Sequence, residues 1–250
     1  MPPSSHHCIS GCSDASDRDA VGKLLAVAPD TPRRARLNRA FLGRAIRYVA
    51  GQGVTQFLDV GAGLPTQQNV HQVAAAVQPD ARTVYVDNDP VVLSHARALL
   101  ADNQRAIAVE GDVREPAGIP GNPQVRGHLD FTRPVCVLLV AILHFMPDSV
   151  GPAGIAAAFR DAVAPGSYLI VSHATAEGAP AGELARASEV TAVYDQASSP
   201  LIFRDTWQVM PIFDGFSLVE PGLVHITAWR PDGPISTRFE AFLGAVGRKD

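Results

Sequence analysis

Positive charge is not in surplus in this 250-residue chain: 21 Lys and Arg stand against 25 Asp and Glu, a formal charge of −4. A general nucleic-acid binder needs basic residues in excess to neutralise phosphates, so nothing here points to that class. Long apolar runs are missing too; residues 135–143, among the longest, fall far short of a membrane span. The N-terminus is rich in Ser, His and Asp and has no apolar signal core. Three cysteines (Cys8, Cys12 and Cys136) cannot build a disulfide framework, and Cys136 lies inside an apolar run. His6, His7, Cys8 and Cys12 are metal-ligating types, but they crowd in a polar tail without the spacing of a closed zinc site. No metal is called for. What these absences leave is a soluble, cytoplasmic globular protein, and 46% hydrophobic residues is enough for a sizeable core.

Residues 1–30 read as a flexible N-terminal segment or lid, and residues 31–250 as one domain without internal repeats. Thr31-Pro32 opens a helix as cap and first position, and the helix runs to about Ala50. Leu37, Phe41, Ala45, Tyr48 and Val49 share one face, with Arg33, Arg36, Arg44 and Arg47 on an adjacent one. Strand and helix signals then alternate: strands at 56–60, 83–86, 106–110, 135–142 and 168–172, with helices between them. Residues 115–134 form a long loop with one turn of helix, and 216–220, 224–229 and 242–249 supply the last strand signals. Repeated β-then-α units predict a doubly wound, Rossmann-like parallel α/β sheet with helices on both faces.

The strongest local motif is Asp59-Val60-Gly61-Ala62-Gly63-Leu64-Pro65, a strand running into a glycine turn that opens a helix. Such a turn lets a ligand meet the backbone and the helix N–H groups. A dinucleotide needs a third glycine for its pyrophosphate; here that position is Thr66, after Pro65, which has no N–H. S-adenosylmethionine carries no phosphate and tolerates this sequence. A second acid, Asp87, ends the next strand, where a carboxylate can accept both hydroxyls of a ribose. Asp89, followed by Pro90, reads as a helix cap. Asp112 and Val113 follow the third strand, where an aspartate can accept from an adenine amino group.

Six blocks in order resemble one branch of the class I S-adenosylmethionine-dependent methyltransferases, a branch known as S-adenosyl methyltransferase or as a domain of unknown function. They are FLDVGAGLPT, NVH, VYVDNDPVVLSHARALL, LLVAILHFMPD, APGSYLIVSHAT and the closing VEPGLV with WRPDG and GAVGRK, spanning about residues 30–249. The resemblance implies a seven-stranded sheet with its last strand antiparallel and S-adenosyl-L-methionine over the glycine turn. Together, motif and resemblance give Asp59, Gly61, Ala62, Gly63, Asn69, Asp87, Asn88, Asp112, Val113, Ala141 and Arg36 as candidate cofactor contacts. Arg36 and Asn38 match the family's Arg-rich block. The departure is at residues 5–12, Ser-His-His-Cys-Ile-Ser-Gly-Cys, where the family has an aromatic, glycine-rich segment.

The arginine face has two readings, a hold for an anionic group or a solvated face with local ion pairs. His71 and His173 can each contact the ligand or make a structural hydrogen bond. His144 follows the fourth strand, at the edge from which methyltransferases address their acceptor. It is the candidate general base, with a space-filling buried histidine as the plainer alternative. The expected activity is methyl transfer to an O, N or C nucleophile on a small molecule. The alternatives are another reaction on the same cofactor, or a binding module without turnover.

Overall fold

A computed structural model describes residues 26–64, 69–194, 199–234 and 238–250. Five parallel strands form its frame: β1 (Gln56–Val60), β2 (Arg82–Asp87), β3 (Ala106–Glu110), β4 (Cys136–Val140) and β5 (Tyr168–Ala174). Two short strands, β6 (Ser217–Leu218) and β7 (Val224–His225), pair with β8 (Phe242–Arg248), which runs antiparallel beside β5. The spatial order is β3-β2-β1-β4-β5-β8-β6, with β7 also on β8. Seven strands make the continuous path, as expected, and the last one is antiparallel. Residues 216–229 give two short strands because a turn, closed by Gly222 N to Val219 O at 2.9 Å, interrupts the ladder. The strand order restarts between β1 and β4, so their carboxyl ends flank a crevice that can take a ligand.

Eight α-helices are described: α1 (Thr31–Gly51), α2 (Val70–Ala75), α3 (Pro90–Leu99), α4 (Gly118–Gly121), α5 (Pro123–His128), α6 (Pro152–Ala162), α7 (Ala181–Tyr194) and α8 (Thr206–Val209). One apolar layer joins α1 and α2 to Tyr85, Leu138, Ile170 and Trp229. The layer on the other face gathers Leu58, Val86, Leu139 and Val171 with Ile155 and Phe159 of α6. Segment 115–134 is more ordered than its Gly/Pro content predicts. It folds into α4 and α5, where Asn122 accepts Gln124 N at 2.8 Å and Ile119, Val125 and Leu129 are buried.

Helix α1 starts one residue earlier than predicted: Asp30 is the N-cap, and the Thr31 hydroxyl donates to Ala28 O at 2.7 Å. Its apolar face carries Phe41, whose ring meets Trp229 edge-on at 5.6 Å. Its arginines form intrachain contacts. Arg33 pairs bidentately with Glu240, itself 2% exposed, and Arg44 donates to the carbonyls of Ile226 and Trp229. Arg47 reaches Asp232 at 3.1 Å. The ion-pair reading therefore describes Arg33 and Arg47, with the refinement that the partners lie about 200 residues away and staple α1 to the C-terminal segment.

A third cluster covers the exits of β4 and β5. Ala28, Ala174, Val190 and Leu201 form it, with Phe145, Tyr194, Phe203 and Phe242 against them. Among the described residues, 27–28 already pack here, slightly before the expected domain boundary. Residues 1–25, including His6, His7, Cys8 and Cys12, lie outside the described residues.

Candidate active site

The glycine turn after β1 needs its glycines for two reasons. Gly61 and Gly63 have φ of +74° and +63°, the left-handed region that costs other residues. A Cβ on Gly61 would also stand 2.7 Å from Cγ1 and Cδ1 of Ile142, which crosses over from the exit of β4. The turn is anchored to β2 by Gly61 N and Ala62 N, which donate to Val86 O at 2.8 and 3.2 Å. Residues 65–68, with the Pro65 and Thr66 that argued against a pyrophosphate, lie outside the described residues. Asn69, buried, caps α2, and its main-chain N–H donates to Gln72 Oε1 at 3.0 Å.

Asp87 stands half-buried at the carboxyl end of β2. Its Oδ2 accepts Gly63 N at 2.9 Å and its Oδ1 accepts Asp89 N at 3.0 Å. Each oxygen keeps a lone pair, so the carboxylate can brace the turn and still accept from a diol. Asp89 accepts Val91 N at 2.7 Å and caps α3, as predicted. Asp112 is gripped by Arg114, whose Nε lies 2.9 Å from both carboxylate oxygens; this neighbour holds the carboxyl below its ordinary range. Arg114 must share or release it before an adenine amino group can bind there. Asn88, exposed, reaches Asp112 Oδ2 at 3.4 Å, and the Val113 side chain is buried in the core.

Beneath the turn lies a small cavity lined by Arg39, Asp59, Gly63, Asn69, His71 and Tyr85. Burial pushes the Asp59 carboxyl up to about 7, with Arg39 opposing and Asp87 adding to the shift. Tyr85 Oη accepts the His71 main-chain N–H at 3.0 Å and lies 2.7 Å from His71 Nδ1. Burial lowers the His71 pKa, so a neutral ring accepts the phenol proton at Nδ1. Arg39 was not anticipated. Arg36, the arginine that was, is exposed, and the one that lines the cavity is three residues further on.

At the exit of β4, Ala141 sits at φ +56° and its N–H donates to Ser172 O and Oγ at 3.2 and 3.1 Å. A non-glycine residue held in this region marks a turn the surroundings enforce. The chain then enters a 3-10 turn, Leu143–Phe145. His144 is 3% exposed, between the rings of Phe145 and Phe242, and its Nδ1 accepts Ala174 N at 3.4 Å. Burial holds its pKa well below the ordinary value, with His173 and Arg204 adding to the shift. With Nδ1 accepting, the neutral ring carries its proton on Nε2 and is a donor there. To act as the base expected from sequence, it would first have to give up the Ala174 bond. His173 makes structural bonds, to Ala174 O and to Arg204.

The parallel sheet, glycine turn and acids at the ends of β2 and β3 define an S-adenosylmethionine-type methyltransferase fold. Over residues 11–250 the chain matches the family model described as S-adenosyl methyltransferase, and it belongs to that family. It is a methyltransferase whose cofactor is S-adenosyl-L-methionine. A candidate methyltransferase from Thermobifida fusca YX shares 38% identity over 95% of this chain and 89% of its own, with a TM-score of 0.86. A DUF574 family protein from Streptomyces avermitilis MA-4680 shares 37% identity over 98% and 95%, with a TM-score of 0.89. More distantly, the N-methyltransferase NodS of Bradyrhizobium japonicum WM9 with S-adenosyl-L-homocysteine shares the fold at 12% identity over 94% and 99%, TM-score 0.54. No curated protein sequence matches the chain. The residues present fit the cofactor: two left-handed glycines leave the turn open, and Asp87 offers spare lone pairs beside it.

Proposed function

We propose that this methyltransferase acts on a small-molecule acceptor in the cytoplasm, through an O, N or C nucleophile presented at the exits of β4 and β5. One observation carries the reading. The third apolar cluster, with Phe145, Tyr194, Phe203 and Phe242, covers this edge beneath α7 and residues 201–203. An apolar edge of this kind suits a compact organic molecule better than a polymer, and the charge of −4 supports the same choice. We assign the ribose hydroxyls to Asp87, with Asn88 beside it. The adenine edge goes to Asp112 and the main chain of Val113, and the methionine end to Gly61–Gly63 with Asp59 and Asn69. Ala141, at the exit of β4, completes the cofactor contacts.

When bound, the cofactor supplies a methyl group on a positively charged sulfur. The chain's own part is to bind, orient and exclude water. Asp87 braces the glycine turn and holds the ribose, Ile142 seats the turn from the far side, and the aromatic cluster keeps the acceptor edge dry. The test is incubation with labelled S-adenosylmethionine and matched panels of small amines, phenols, thiols and carbon acids, beside nucleic acid and protein, reading S-adenosylhomocysteine. Transfer to a small acceptor supports the reading. Transfer into macromolecule alone overturns it.

A further inference from the structure

Among the described residues Arg204 is the most buried arginine, 3% exposed, and it comes from the segment between α7 and α8. Its Nη1 donates to Leu143 O at 3.3 Å and to His173 Nε2 at 2.9 Å. Nη2 donates to Met146 O at 2.8 Å and Asp148 Oδ1 at 2.5 Å, and Nε reaches the same oxygen at 3.1 Å. Its main-chain N–H donates to Ala174 O at 3.1 Å. Only a planar, multi-donor guanidinium can serve these partners together.

These bonds fix where two protons sit. Arginine can only donate, so His173 Nε2 accepts and its proton lies on Nδ1, which donates to Ala174 O at 2.8 Å. The Ala174 N–H can only donate, so His144 Nδ1 accepts and its proton lies on Nε2. Two rings with centroids 5.7 Å apart therefore hold opposite tautomers. The charged and titratable groups around them are Arg204 and Asp148; burial brings His173 down to about 4, with Arg204 adding to it. The loop in Arg204's grip is also the loop that touches the cofactor turn: Leu143 O is held one residue after Ile142, which packs on Gly61.

We propose that Arg204 is a positioning residue for methyl transfer, clamping the β4 exit loop and, through His173, fixing the histidine pair so that Ile142 stays seated against the glycine turn. This rests on the turn holding the cofactor. Its test uses the full chain, side-chain ¹⁵N NMR of both histidines between pH 5 and 8, and calorimetry with S-adenosylhomocysteine. In the parent protein His173 should show Nδ1–H and His144 Nε2–H, both neutral throughout. Arg204→Gln, which removes the charge beside His173, should raise the His173 pKa toward that range, and both Arg204→Gln and Arg204→Lys should weaken S-adenosylhomocysteine roughly threefold to thirtyfold, the span of a network coupling. Asp148, whose side chain is 79% exposed, offers a variant that leaves core packing intact. Asp148→Ala, which removes the shared acceptor, should weaken binding in the same direction. Equal tautomers in the parent protein, unmoved His173 titration in a folded Arg204→Gln variant, or unchanged affinity in Asp148→Ala would each overturn the clamp. A parent protein that fails to bind S-adenosylhomocysteine would overturn the cofactor reading, and the tautomers would still test the histidine pair.

Discussion

Replacing Gly61 by alanine puts the contact between the two halves of the site under direct test. The new methyl meets two costs. At φ +74° the backbone is left-handed, worth about 1–2 kcal/mol against a residue with a Cβ. The Cβ would also lie 2.7 Å from Ile142 Cγ1 and Cδ1, an overpacking worth about 1–3 kcal/mol. Together about 2–5 kcal/mol should appear in urea unfolding at constant m value, a large share of the roughly 5–15 kcal/mol that holds a domain. Ile142→Ala removes both offending carbons and leaves its Cβ, at 3.1 Å, as the remaining contact. In that background Gly61→Ala should cost little more than the backbone term, so the two changes couple by about 1–3 kcal/mol. S-adenosylhomocysteine affinity should fall with Gly61→Ala and partly recover in the double variant. An equal cost in both backgrounds would refute the claim that Ile142 seats the turn.

Three further outcomes follow from the geometry. Asp87→Ala should weaken S-adenosylmethionine binding by about 1.5–3 kcal/mol, whereas Asp89→Ala should cost about 1 kcal/mol of helix stability; calorimetry giving the reverse order would exchange their roles. Asp59, pushed up to about 7 against an unfolded value near 3.9, keeps its proton in the native state over a range where the unfolded chain has lost it. Its contribution is full below about pH 4 and declines as pH rises to about 7, by at most roughly 1.4 kcal/mol per unit. Asp59→Asn should flatten that limb, and parallel stability–pH curves for the two proteins would contradict the assignment. For His144→Asn the amide oxygen can still accept Ala174 N–H, so fold and turnover should both persist. A drop of at least about tenfold in a folded variant, with loss of the acidic limb of the pH–rate profile, would restore the ring as base.

The sheet was legible because its signals are local. A doubly buried strand reads as an unbroken apolar run, and a cap followed by proline announces a helix. Asp89-Pro90 did so, and Asp89 caps α3 as read from the sequence. Where two residues at the same helix start can both cap, as with Asp30 and Thr31, the pattern was off by one. Residues 115–134 misled through composition: Gly and Pro cluster there as in a loop, yet Asn122-Pro123 is itself a cap and first-turn pair. Arg36 and Arg39 lie in one Arg-rich block, and sequence alone gives no means of seeing which of them lines the cavity with Asp59, because that depends on how α1 docks.

Local signals fail for a different reason at the acceptor edge. The proposed cofactor end draws on β1, its glycine turn, α2 and the carboxyl ends of β2 and β3, elements whose signals lie in short local stretches of sequence. The proposed acceptor edge draws on β4, β5, β8, α7 and residues 201–204, and its chemistry depends on which lone pairs are already engaged. His144 looked like a base because histidine at a strand exit has the right intrinsic pKa. What bears on that role is one main-chain N–H, that of Ala174, 30 residues away, and an arginine 60 residues away that orients the neighbouring ring. Neither leaves a mark near His144 in the sequence. A titratable residue at such an edge becomes a base, a donor or a spacer according to its partners, and those are long-range contacts that only the folded chain supplies.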